Sequence, residues 1–186
     1  MDVEKWKNSI EEERKQKDDF FKWSFQSPIP WEERERFKGL DYYPPDIKYR
    51  FELELFEHSQ KSILEIEDTK GNIRKFIRWG EFRFKIDGVD CKLQAYKSDE
   101  LDERLFIPFR DLTSGKETYG AGRYLDLEPD KDLTEEGKWI LDFNRACNPW
   151  CAYSKDYACP LTPPENWLKV PIYAGEKDYK KYYKRR

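Results

Sequence analysis

Histidine and methionine are almost missing from this sequence: His58 is its only imidazole and Met1 its only thioether. A lone imidazole excludes the histidine clusters of many zinc enzymes and leaves a cysteine nucleophile with no nearby base. Long apolar runs are missing too, since no stretch approaches the roughly 20 residues that a membrane-spanning helix requires. Nor is there an excess of positive charge. With 35 Lys and Arg against 38 Asp and Glu, the formal net charge is -3, so no overall basic field draws the chain to nucleic acid. The first residues, Glu4, Lys5 and Lys7 followed by Glu11 to Glu13, lack the apolar stretch of an export signal, and the expected location is cytoplasmic. Cysteine is sparse, at positions 91, 147, 151 and 159, and in that compartment free thiols are the rule.

What the chain does have is charge and aromatic rings. Charged residues make up 39% of it and hydrophobic ones 38%, a balance that by itself leans towards disorder. Seven Trp, twelve Tyr and twelve Phe oppose that, because each ring brings a large buried area. The expectation is a compact aromatic core under a charged, solvated surface. At 186 residues the length matches one ordinary domain, 1–186, that folds without a metal or a staple. The bias to Lys and Glu also suits the protein of a thermophile.

Residues 2–22 read as an amphipathic helix, with Val3, Trp6, Ile10, Phe20 and Phe21 near helical spacing; Arg14 and Lys17 interrupt the stripe. Ser27-Pro28-Ile29-Pro30 breaks it, and a second short helix follows, with Glu32 and Glu33 in its first turn and Gly39 as its C-terminal cap. From residue 49 the period changes to two. Phe51, Leu53 and Leu55 alternate with glutamates, as do Leu64 and Ile66, and Asp68 to Asn72 supplies a turn into 73–79. Phe82, Phe84 and Ile86 alternate up to Asp87-Gly88, a dipeptide favoured in two-residue hairpins. Further strands are expected at 89–96, 105–110, 122–128, 139–144 and 168–173. The fold class is therefore mainly β with an α+β tendency: an antiparallel sandwich or barrel-like sheet, one or two N-terminal helices within 1–40, a β-rich body over 49–175 and a long ordered C-terminal loop. The tail, 177–186, interleaves Lys and Arg with Tyr179, Tyr182 and Tyr183, a mixture that suits stacked bases, although most such termini are only solvated.

Two blocks concentrate ionisable residues among apolar ones. In the first, residues 106–127, Arg123 shares a strand face with Leu125 and Leu127, and a core-facing guanidinium needs an acid and further hydrogen bonds. Asp111, Asp126 and Asp142 are the possible partners. Such an arginine either clamps a carboxylate or phosphate or forms a structural pair that pins strand register. Tyr119-Gly120-Ala121-Gly122 is no dinucleotide fingerprint, because it runs into a strand, and Ser114-Gly115-Lys116-Glu117 lacks the rest of a phosphate loop. In the second block, 141–171, two dozen residues without helix or strand pattern are rich in rings, which favours an ordered loop over the sheet. Asn144 and Asn148 would satisfy its backbone. Its three cysteines, Cys147, Cys151 and Cys159, do not repeat the paired spacing of a zinc site, so neither metal nor cofactor is expected. Cys151 and Cys159 could close the loop as a disulfide or pack as free thiols.

These blocks resemble a prokaryotic family catalogued as a domain of unknown function, number 1684. The resemblance rests on Phe109-Arg110-Asp111, Thr113-Ser114-Gly115, Glu117 to Asp126, Leu141 to Asn144, Asn148-Pro149, Cys151-Ala152-Tyr153, Cys159-Pro160-Leu161, Pro164-Glu165-Asn166 and Ala174-Gly175-Glu176-Lys177. It departs at Cys147 and Trp150, where tyrosines are expected, and at Thr162, where proline is. It implies bacterial or archaeal origin and no assigned reaction. Two readings follow. In the first, a pocket forms where the blocks meet. Arg110 and Arg123 hold a small anionic ligand and Asp126, Asp142 and Glu165 are the acid–base candidates. Asp111, Tyr119, Tyr124, Asn144, Asn148, Tyr153 and Asn166 complete the lining. In the second, the same residues are the hydrogen-bonded cage of a non-catalytic scaffold or interaction module. The sequence leaves enzymatic activity and oligomeric state open.

Overall fold

The computed structural model describes residues 1–179; the rest of the basic tail lies outside them. Helix α1 (Val3–Trp23) begins on Asp2, whose carboxylate accepts from the amides of Glu4 and Lys5 at 3.0 and 3.2 Å. Its buried face is Trp6, Ile10 and Phe21. Helix α2 (Trp31–Arg34) is a single turn that ends at Glu35. Gly39 does not cap it, contrary to the sequence expectation. Gly39 lies beyond the helix at φ +112° against Asp18, which instead receives the amide of Leu40 at 2.9 Å.

Seven strands follow: β1 (Arg50–Leu53), β2 (Phe56–Glu67), β3 (Ile73–Ile86), β4 (Val89–Lys97), β5 (Leu105–Phe109), β6 (Arg123–Leu127) and β7 (Trp139–Asp142). Strands β2 to β6 form one antiparallel sheet in chain order, and β1 pairs with β7 in a second. The arrangement is mainly β and sandwich-like, not a closed barrel. The alternation at 73–79 and 82–86 belongs to one long strand with an irregularity between Arg78 and Gly80, which is why the period slips there. Asp87-Gly88 does make the hairpin: both residues have positive φ, 49° and 80°, the conformation a primed turn demands.

The core lies between the sheets. Phe82, Phe84, Leu93, Ala95, Ile107, Phe109 and Leu125 face Leu141 and Phe143 across it. Phe143 stands edge-on to Phe109 with ring centres 5.2 Å apart, and its ring also meets Phe84 and Phe51. The chain after β7 wraps back over the molecule in short turns, and its aromatic residues pack as an ordered loop should: Tyr153 is fully buried and edge-on to Phe21 of α1 at 4.9 Å.

Residues 168–173 keep the alternating burial of a strand but join no ladder. Only Leu168 and Val170 exchange backbone bonds with the residues that follow β5, from Leu168 N to Arg110 O at 2.7 Å and from Leu112 N to Val170 O at 3.2 Å. Pro171 has no amide to offer, so pairing cannot continue past it. Side chains take over from there.

No helix among the described residues is long and apolar enough to cross a membrane.

Candidate functional site

Arg123 leaves β6 on the core side and is wholly buried. Its Nη1 donates to the carbonyls of Ala174 and, at 3.2 Å, Glu176. Nη2 donates to the Ile172 carbonyl at 3.0 Å and faces Asp111 at 3.5 Å. Asp111 in turn accepts the Ile172 amide at 2.6 Å and lies 2.8 Å from the Thr113 hydroxyl. Asp111 and Arg123 therefore take the acceptor and donor places that a neighbouring strand would offer to Ile172. Burial pulls the Arg123 pKa down, and the charge of Asp111 opposes that. The expected inward guanidinium is present, but backbone carbonyls occupy both of its terminal nitrogens, and Nε has no partner among the described residues.

Arg110 is half-buried, and its guanidinium carbon lies over the Trp167 ring, 4.5 Å from its centre. Among the described residues it forms no ion pair, so the two arginines do not share one acid-lined pocket. The acid candidates are likewise dispersed. Asp126 is exposed on β6. Asp142 is buried beneath Trp6, whose indole donates to it at 2.8 Å. Glu165 meets Arg78 at 3.1 Å and Tyr96 at 2.5 Å.

The asparagines bind backbone. Asn166 inserts its amide between β4 and β5, accepting Gln94 N at 2.8 Å and donating to Gln94 O and Pro108 O at 2.9 and 2.8 Å. Pro108 cannot donate to a ladder, and the side-chain amide fills the gap in sheet pairing. Asn144 does the same for Asp46, exchanging bonds of 2.9 Å with its amide and carbonyl. Asn148 donates its backbone amide to Glu176 at 3.0 Å and its side chain to Lys177 O at 2.8 Å. Tyr124 donates its hydroxyl to the Pro160 carbonyl, and Tyr119 lies against Cys151 at 3.7 Å.

Sequence reasoning passed over the strongest polar cluster. Glu176 is completely buried and receives the Tyr153 hydroxyl, the Asn148 amide and Lys17 Nζ, the last at 2.9 Å. Burial disfavours the charged lysine, but the Glu176 carboxylate more than offsets it, so the Lys17 pKa is raised. Beside it opens a cleft of about 110 Å³ lined by Ile10, Glu13, Arg14, Lys17, Tyr42, Asn144, Arg145, Ala146 and Cys147. Arg14 gives two N–H groups to the Tyr43 and Asn144 carbonyls at 2.9 and 3.2 Å and stacks on Tyr42 at 4.4 Å. Arg14 Nε and the Tyr42 hydroxyl are buried without a partner among the described residues. Burial keeps the Tyr42 phenol protonated by raising its pKa, and pushes the Cys147 thiol up to about 11. The available signal was the charge at 14 and 17, on the helix face whose other positions are apolar. No group of three or more His, Cys, Asp or Glu gathers as for a metal among the described residues.

One glycine fixes the geometry between the blocks. Gly122 has φ +103°, and an added Cβ would lie 2.5 Å from the Phe109 carbonyl and 2.6 Å from the Thr162 hydroxyl. Both contacts are impossibly short, so Gly122→Ala should lose more than the ~1–3 kcal/mol of left-handed strain alone. Chemical denaturation of the purified variant measures it.

Fold and polar network together define a mainly β protein in which an irregular C-terminal segment is tied to the sheets by buried side chains. The chain belongs to the family described as a protein of unknown function, DUF1684, whose model matches residues 35–177. A solved relative is the uncharacterized protein from gene locus rrnAC0354 of Haloarcula marismortui, determined by solution NMR. It is 39% identical, with a TM-score of 0.71 over 94% of this chain and 95% of its own. No curated protein matches in a sequence comparison.

Proposed function

We propose that the protein binds a small anion, of carboxylate or phosphate class, in the cleft between α1 and the turn at residues 144–147. The observation that carries this reading is Arg14, a cation with no carboxylate at ion-pair distance among the described residues, whose Nε is unpartnered beside an unpartnered Tyr42 hydroxyl. Lys17 and Arg145 line the same cleft, although each already has an acid, Glu176 and Glu13. A volume of about 110 Å³ suits a few heavy atoms rather than a nucleotide. An anion there would take the two unpartnered donors and offset a desolvated charge. Arg110 and Arg123 have no part in it, and nothing in the cleft supplies a nucleophile with a base, so the reading is one of binding.

The test is thermal unfolding in inorganic phosphate and in acetate, against chloride at equal ionic strength. Stabilisation should grow with the logarithm of anion concentration above Kd and reach about 2.7 kcal/mol at a hundredfold excess. Tyr42→Phe should weaken it at least severalfold and Arg14→Gln should remove it. Equal stabilisation of all three proteins would overturn the reading.

A scaffold role is the second reading, favoured by the bonds that Arg123, Asp111, Asn144, Asn148, Tyr153 and Asn166 make to backbone or to Glu176. It expects no anion effect beyond ionic strength.

A further inference from the structure

Cys151 and Cys159 are neither bonded to each other nor used by the cleft. They lie on opposite sides of a short turn, and the backbone amide of Cys151 donates to Cys159 Sγ at 3.3 Å. Cys159 is held in place from β2's end, where its amide donates to the Thr69 hydroxyl at 3.1 Å and its carbonyl accepts the Thr69 amide at 3.0 Å. The Tyr119 hydroxyl lies 3.7 Å from Cys151 Sγ. Cys151 is half-buried and Cys159 is buried.

We infer that this pair is a peroxide-reactive dithiol, with Cys151 the attacking sulfur and Cys159 the resolving one. The electrostatics agree with the assignment of roles. Interaction with the Cys159 thiol, and with Tyr119 and Thr69, lowers the Cys151 pKa against the opposing effect of burial. The same interaction, together with burial, pushes the Cys159 pKa up. A lowered pKa enlarges the thiolate share, and sulfur in that state is the nucleophile. Cys91 is buried and raised by desolvation, and Cys147 is raised likewise, so neither competes.

The chemistry balances with a hydroperoxide as the oxidant. The Cys151 thiolate attacks the distal oxygen, the O–O bond breaks, and hydroxide or alkoxide leaves with the electron pair and takes up a proton. The product is a sulfenic acid on Cys151. Cys159 sulfur then attacks Cys151 sulfur, the S–O bond breaks, and the departing hydroxide takes the Cys159 proton as water. Two electrons pass from the thiols to the peroxide, leaving an S–S bond across the turn. In the reduced protein Cys159 Sγ already lies 3.3 Å from the Cys151 amide, so little rearrangement separates the two states.

The test treats the native protein with hydrogen peroxide, alkylates the remaining thiols and maps the peptides by mass spectrometry. Trypsin cuts after Lys155, which separates the two cysteines unless they are linked. The expected result is loss of two of the four alkylatable thiols and a single linked species joining Cys151 to Cys159. Cys159→Ser should instead accumulate a sulfenic acid on Cys151, trapped by dimedone, and Cys151→Ser should consume peroxide at least tenfold more slowly. Four free thiols after treatment, a link through Cys91 or Cys147, or an unchanged rate in folded Cys151→Ser would each overturn the inference.

Discussion

Replacing Arg123 with methionine is expected to remove about 3–5 kcal/mol of folding stability, the usual result of breaking a buried charge pair from one side. Methionine fits the volume but donates nothing. Three carbonyls, those of Ile172, Ala174 and Glu176, lose their donor in a place water does not reach, and Asp111 keeps a negative charge with no cation near it. Arg123→Lys should recover less than half of the loss, because one ammonium cannot span carbonyls that the planar guanidinium reaches with two separate nitrogens. Urea unfolding followed by tryptophan fluorescence provides the measurement. A loss under about 1 kcal/mol for the methionine variant would mean that the 172–176 segment holds its place by packing alone, since exposed pairs contribute that little.

The second large effect is expected from Glu176→Gln, about 3 kcal/mol, near the lower end of the range for a broken buried pair because Lys17 keeps some contact with solvent. Size hardly changes, so the loss isolates hydrogen bonding and charge. The carboxylate accepts from Lys17, from the Tyr153 hydroxyl and from the Asn148 amide. A glutamine has one oxygen for those donors, and its own NH₂ must then face at least one of them. Lys17→Met combined with Glu176→Gln should lose less than the sum of the two single changes, because the double variant leaves no unpaired buried charge. Denaturation of the four proteins in one cycle gives the coupling directly. Strict additivity would show that Lys17 and Glu176 contribute independently.

Much of the fold was legible because the strands obey period two. Phe82, Phe84 and Ile86 point to the core as the alternation requires, and the Asp87-Gly88 turn follows from one dipeptide. The resemblance to the DUF1684 family was legible for the same kind of reason, long runs of specific residues spread over most of the chain. What local pattern could not convey was long-range pairing. Alternation marks 168–173 as a strand, but nothing local says that Pro171 ends its pairing or that Asp111 and Arg123 then serve its backbone. The inward direction of Arg123 is legible, since it shares a strand face with Leu125 and Leu127. Whether its partners were a ligand or the chain's own carbonyls depended on residues fifty positions away. The cleft was missed because Arg14 and Lys17 looked like interruptions of an apolar stripe, when they are the part of that stripe that faces Glu176 and Asn144.

The clamp on residues 172–176 also bears on how the molecule is made. Strand β1 has no partner until β7 exists, Trp6 reaches Asp142, and Arg123 waits for carbonyls near the far end of the chain. Contacts between such distant positions form late and slowly. Once residues up to 127 have left the ribosome, all five strands of the larger sheet are present but the residues that cover its inner face are not, and such exposed apolar surface invites aggregation or capture by a chaperone.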